Sequence, residues 1–158
     1  MAKSAVITGH LIADLARGLL GLALTIAAGN AVGFRPSAGI GGWAAAVAVF
    51  LLVTLALSLL ATLIGLLGKN VEVAQQLAAI IIIPVFFSSA FVPAGTMPRW
   101  LRVVTANQPV TQAVDTLRAL LLNQPLGSHL WLTLTEFVAI VAVAFTLATV
   151  LFRRTASV

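Results

Sequence analysis

The stretch "GWAAAVAVFLLVTLALSLLATLIGLL", Gly42 to Leu67, contains no Asp, Glu, Lys or Arg. A helix crossing a hydrocarbon core of about 30 Å needs about 20 predominantly apolar residues, and this one is long enough to span with tilt. Outward from it, the charge-free run extends from Pro36 to Gly68, and two more cover Gly18–Phe34 and Val73–Pro98. Of the 158 residues, 61% are hydrophobic and 8% charged, against about 25% charged in soluble domains. A water-soluble globular fold is excluded, and no separate soluble domain fits in the remainder. The chain reads as an all-α polytopic membrane protein.

Spans are expected at about 15–34, 42–67, 74–92 and 129–152, within a single transmembrane domain over 1–158. Segment 1–14 leads into the first span, and an outer amphipathic helical hairpin over 98–122 precedes the last. Arg153 and Arg154 close the chain's final span. If they are cytoplasmic, alternation puts Lys3, Arg17 and Lys69 inside with them and Arg35, Arg99, Arg102 and Arg118 outside. Small residues recur at helix-contact spacing in the pairs Gly29 and Gly33, Ala44 and Ala48, and Ala61 and Gly65, which predicts close helix packing.

The net charge of +5 lacks the clustered stripe of a nucleic-acid binder. With no cysteine, disulfides and thiolate metal sites are excluded. His10 and His129 stand 119 positions apart, and no metal-ligand spacing or nucleophile–base set occurs. The chain is therefore expected to be no enzyme, with no cofactor of its own. "GLLGKN", Gly65–Asn70, lacks the spacing and the hydroxyl residue of a phosphate loop and sits at the end of an apolar helix.

The break after the third span is "SSAFVPAGTMPRWL", Ser88–Leu101. Pro84 removes a backbone donor within the span and should kink it; Phe86, Phe87 and Phe91 either line an apolar route or pack the bundle. Pro93, Gly95 and Pro98 end the helix, and Trp100 between Arg99 and Arg102 suits the headgroup level. Pro109 then opens a second amphipathic helix, Val110–Leu122. Its apolar positions Val110, Ala113, Val114, Leu117, Leu120 and Leu121 follow the i, i+3, i+4, i+7 pattern, with Gln112, Asp115, Thr116 and Arg118 on the other side. At about 1.5 Å per residue it reaches roughly 20 Å, too short to cross, so the hairpin packs on the outer mouth of the bundle.

Three acidic residues call for an explanation. Asp14 and Arg17, and again Asp115 and Arg118, stand at i, i+3 and suit local ion pairs. Glu136 lies about two turns into the last span, where a carboxylate must face protein, water or the interface. It is either a proton- or cation-binding group in a translocation path or a headgroup-level partner of Arg118 or Arg102.

The kinked span, "FSSAFVPAGTMPRWLRVVTANQPVTQAVDTLRALL" and a last span with a basic end resemble the membrane subunits of type-2 ABC exporters, above all bacterial daunorubicin and multidrug resistance permeases. The residues that carry the likeness are Phe91, Pro93, Pro98, Trp100, Leu101, Pro109, Thr111, Val114, Asp115 and Arg118. Gln108 before Pro109, and Met97 where Leu is common, depart from the pattern. The resemblance implies a carboxy-terminal portion of such a permease, Met1 falling in the cytoplasmic link before the family's third of six spans; a fragment, a misplaced start and a short protein would all read this way. It further implies that Lys3, His10, Asp14 and Arg17 belong to a segment coupling to a separate ATPase subunit that binds ATP. The outer gate would comprise Pro84, Phe86, Phe87, Phe91, Pro93, Pro98, Trp100, Pro109, Thr111, Asp115 and Arg118. Partners would be that ATPase, a second permease subunit, membrane lipid and a small amphiphilic cargo, in a bacterial cell membrane. The rival expectations are a small proton-coupled exporter using Glu136 and a truncated, non-transporting scaffold.

Overall fold

Four helices form the described part of the chain: α1 (Lys3–Ala31), α2 (Ile40–Leu67), α3 (Pro109–Leu121) and α4 (His129–Thr155). The computed structural model describes residues 3–67, 73, 79, 103, 105 and 107–155, and for 3–8, 10, 66 and 152–155 the backbone alone. Among the described residues there is no strand. Three helices are long and apolar enough to cross a membrane, over Leu11–Ala31, Ile40–Gly65 and His129–Leu151. The expected third span, 74–92, and the first arm of the hairpin lie outside the described residues, apart from Ala79, Val103 and Thr105.

Helix α1 runs unbroken from Lys3 through the segment expected to lead into the span, and stops at Ala31 instead of residue 34. The cause is a left-handed turn. Gly33 has φ +99°, the Phe34 amide donates to the Gly29 carbonyl at 2.9 Å and the Gly33 amide to Asn30 at 3.2 Å. This is the glycine-ended C-cap that satisfies the last carbonyls of a helix. The Gly29–Gly33 pair therefore serves α1's own terminus: Gly29 packs under the Phe34 side chain. Ala44, Ala48, Ala61 and Gly65 are exposed, so among the described residues none of the three small-residue pairs makes the expected helix contact.

Close approach happens elsewhere. A Cβ on Gly18 would meet Thr54 Cγ2 of α2 at 3.1 Å, and one on Gly42 would meet the Leu120 carbonyl of α3 at 3.1 Å. Asp14 opposite Ser58 and Gly18 opposite Thr54 show that α1 and α2 run antiparallel. At the far end of α2, the Ala38 amide donates to the Leu121 carbonyl at 3.1 Å. Ala46, Val49 and Leu120 form one buried cluster there; Ala56, Ala113 and Phe137 form a second, where α2, α3 and α4 meet.

Helix α3 opens at Pro109, one residue before the expected start, because proline's fixed φ and missing N–H suit a first turn. It closes on Asn123 at φ +52°, with the Gln124 amide donating to Ala119 at 2.8 Å. Its buried residues are Thr111, Gln112, Ala113, Thr116, Ala119 and Leu120. Gln112 and Thr116, expected on the outward side, are thus turned inward, while Val110, Val114 and Leu117 are only half-buried. The reason is a set of partners on α4. Thr116 and Thr133, both 0% exposed, share a hydrogen bond at 3.0 Å, and His129 Nδ1 donates to Gln112 Oε1 at 2.6 Å. Hydropathy ranks these side chains as outward; a polar partner inside an apolar bundle reverses that ranking.

A double-mutant cycle tests this pair. Thr116→Val and Thr133→Val alone each strand one hydroxyl and should cost about 1 kcal/mol in unfolding free energy. The double variant should recover about 0.6 kcal/mol or more of the sum; strictly additive losses would show that the two hydroxyls do not act together.

Candidate functional site

Polar groups interrupt the apolar bundle at its two ends. At the end carrying the amino terminus, Asp14 accepts a hydrogen bond from the Ser58 hydroxyl of α2. Its other oxygen lies 3.6 Å from Arg17, whose side chain is 77% exposed. A pair so open to solvent contributes little, so Ser58, and not Arg17, fixes the carboxylate. Ser58 was not singled out by sequence. Its signal is faint: Thr54 and Thr62, its neighbours one turn away, donate to carbonyls of their own helix, those of Phe50 and Ser58, whereas Ser58 reaches across to α1.

The opposite end holds a polar seam between α3 and α4. Gln108 Nε2 donates to Thr111 Oγ1 at 3.1 Å, and the Gln112–His129 and Thr116–Thr133 bonds continue it. Arg118 Nη1 stands 3.5 Å from Asp115 Oδ1. Trp131, 71% exposed at the start of α4, faces outward, as an aromatic at a lipid–water interface does.

Glu136 lies seven residues beyond His129, about 10 Å along the helix axis. Its Oε2 is buried without a hydrogen-bond partner, and so is the Thr105 hydroxyl. Stranding such an atom costs about 1–3 kcal/mol. No ion pair joins Glu136 to Arg118 among the described residues, since Arg118 is engaged by Asp115; Arg102 lies outside them. Farther along the same side of α4, at spacings of three, four, seven and eleven residues from Glu136, Ala139, Ile140, Val143 and Leu147 line an apolar cleft of about 340 Å³. Leu60 and Leu63 of α2 form its other wall. A second open cleft, of about 690 Å³, lies by the C-cap of α1 and reaches Leu121 of α3.

Of the residues singled out by sequence, the structure thus gives Asp14 and Arg17 one shared site and places Pro109, Thr111, Asp115 and Arg118 on α3. Lys3 and His10 lie on α1, with side chains outside the description. Pro84, Phe86, Phe87, Phe91, Pro93, Pro98 and Trp100 fall outside the described residues. Among the described residues no three His, Cys, Asp or Glu side chains group as metal ligands.

The sequence pattern of the ABC-2 type transporter family matches residues 1–122. Over 120 residues, 75% of its length, the chain is 28% identical to the daunorubicin resistance ABC transporter permease protein of Streptomyces coeruleorubidus, of which this covers 42%. Over 119 residues, again 75% of its length, it is 24% identical to a "probable doxorubicin resistance ABC transporter permease protein" of Mycobacterium tuberculosis, with 43% of that protein covered. The matched segment spans less than half the length of these relatives. No solved structure matches it. With its bundle of long apolar helices and a family pattern over more than half of its length, the chain is a multi-pass membrane protein that belongs to the ABC-2 type transporter family.

Proposed function

We propose that the chain is permease material of an ATP-driven ABC exporter that moves amphiphilic drugs or lipid-like molecules out of the cell. The observation that carries this reading is the family match over residues 1–122 together with relatives named for drug resistance. The apolar clefts are compatible with it, since ligand sites are concave, mostly apolar and about 300–1,000 Å³ in volume. Hydrolysis of ATP takes place on a separate subunit, and this chain supplies no catalytic residue. A second permease subunit completes the pump. In this mechanism the ATPase moves the amino-terminal part of α1. Asp14, bonded to Ser58, passes that movement to α2, and the α3 end opens.

The test is accumulation of a fluorescent amphiphilic drug in cells expressing the chain with its ATPase. Lowered accumulation that persists under a protonophore at constant ATP, and vanishes when ATP is depleted, supports the proposal. Collapse under the protonophore alone would instead favour a proton-driven exporter, a reading with one observation behind it, the unpartnered Glu136 oxygen. Dependence on neither would leave a scaffold.

The Asp14 contact gives a sharper expectation. Asp14→Lys removes the acceptor of the Ser58 hydroxyl and sets a second cation beside Arg17. Drug-stimulated ATPase should fall about fivefold or more, the size of a coupling of about 1 kcal/mol, with membrane insertion intact. Asp14→Asn, which keeps an acceptor, should lose far less. Full stimulation in Asp14→Lys would remove Asp14 from the coupling path.

A further inference from the structure

The three acidic residues in the described part of the chain differ in one respect. Asp14 and Asp115 each have an arginine within 4.0 Å; Glu136 takes part in no ion pair among the described residues, and one of its oxygens is buried with nothing to accept from. The neighbouring Phe137 packs against Ala113, in the first turns of α3. The chain leading into those turns carries Thr105, whose hydroxyl is the other stranded polar atom, in a side chain 2% exposed. One turn beyond Glu136, on the same side of α4, Ala139 and Ile140 begin the wall of an apolar cleft shared with α2. One acidic point at the head of an apolar trough is complementary to a molecule with a cationic end and an apolar body.

We infer that Glu136 binds the ammonium group of a cationic amphiphile whose apolar part lies in the cleft lined by Leu60, Leu63, Ile140, Val143 and Leu147. This deepens the export reading and rests on it, since it names the charge class of the cargo. An ionised carboxylate only accepts hydrogen bonds, and an ammonium supplies donors and the opposite charge together, the stronger kind of pairing. A metal ion fits poorly: hard cations want several oxygen ligands, and no such group forms among the described residues. A bare proton would satisfy the carboxylate but would make no use of the trough beside it.

The experiment uses the chain in phosphatidylcholine vesicles, whose zero net charge does not itself attract amines. The probes are a fluorescent lipophilic primary amine and its N-acetylated, uncharged derivative, and the readout is the dissociation constant of each. The unsubstituted chain should bind the amine about tenfold more tightly than the derivative, as a charged hydrogen bond predicts. Glu136→Gln should erase that preference while binding the derivative unchanged, and Glu136→Asp should retain part of it. Unchanged affinity for the derivative shows that the variant is folded. A preference that survives Glu136→Gln, equal binding of both probes by the unsubstituted chain, or binding of neither would overturn the inference. Loss of ATP-dependent efflux of both probes, with the Glu136-dependent binding preference intact, would sink the export reading and leave the site standing.

Discussion

Replacing Gly42 by Leu should detach α3 from the bundle. Even a methyl group at this position would come to 3.1 Å from the Leu120 carbonyl oxygen. Because that neighbour is backbone in the last turn of a helix, it cannot move aside by changing rotamer. A branched side chain must push the whole of α3 outward, straining the Ala38–Leu121 backbone bond and opening the cluster of Ala46, Val49 and Leu120. Overpacking of this kind costs about 1–3 kcal/mol, and more where backbone is in the way. The chain has no cysteine, so a single introduced thiol reports directly. Ala119→Cys, at a buried position of α3, should react slowly with a maleimide in the parent chain and about tenfold faster when Gly42→Leu is added, a shift of about 1.4 kcal/mol in the open population. An equal labelling rate in the two backgrounds would refute the tight α2–α3 contact.

Phe137→Ala should bring a loss of comparable size by the opposite route, an empty volume. The ring is 2% exposed and fills the space where Ala56 of α2 and Ala113 of α3 leave room for it. Bundles in lipid depend on packing, since lipid tails offer no hydrophobic drive between helices. Removing a buried aromatic costs about 3–5 kcal/mol in cores, and the methyl groups of Ala56 and Ala113 that face the ring are too short to fill the gap. The control is Phe145→Ala, on the same helix but half-exposed, expected within about 0.5 kcal/mol of the parent. Denaturant unfolding in mixed micelles checks the pair; equal midpoints for the two variants would show that the three-helix junction is not where stability resides.

The long helices could be read from residues because charge-free runs of that length have one outcome in a membrane. Their ends were legible only in part. Sequence places Gly33 in the first span and in a helix-contact pair, and only its positive φ and the bond pattern back to Gly29 and Asn30 show that it halts α1 at Ala31. The face of α3 was misjudged for a definite reason. Periodicity sorts side chains by affinity for water, while Gln112 and Thr116 are sorted by partners seventeen positions away on another helix. The same holds for Ser58, which looks inert in a leucine run until Asp14 is set opposite it. Glu136 was conspicuous as a carboxylate in an apolar span. What sequence could not supply is that its buried oxygen is unmatched and that an apolar cleft begins one turn further along the helix. The family, in contrast, was legible from the Pro-x-Trp-Leu and Val-Asp-x-x-Arg patterns, because each is a contiguous stretch that can be recognised without knowing what it packs against.

The hydrogen bonds between helices are unevenly distributed. Ser58 ties α1 to α2 at one end of the bundle, and the Thr116–Thr133 and Gln112–His129 pairs tie α3 to α4 at the other. Between α2 and α4, among the described residues, no side-chain hydrogen bond crosses; Phe137, Ile140 and Ala144 of α4 meet Ala56 and its neighbours on α2 through carbon alone. Hydroxyls on these helices, such as those of Thr54, Thr62 and Thr146, are folded back onto carbonyls of their own turns. That face behaves like a lubricated bearing. Shear of α4 along α2 exchanges one set of van der Waals neighbours for another and ruptures no polar bond, whereas shear at either tied end must first break one.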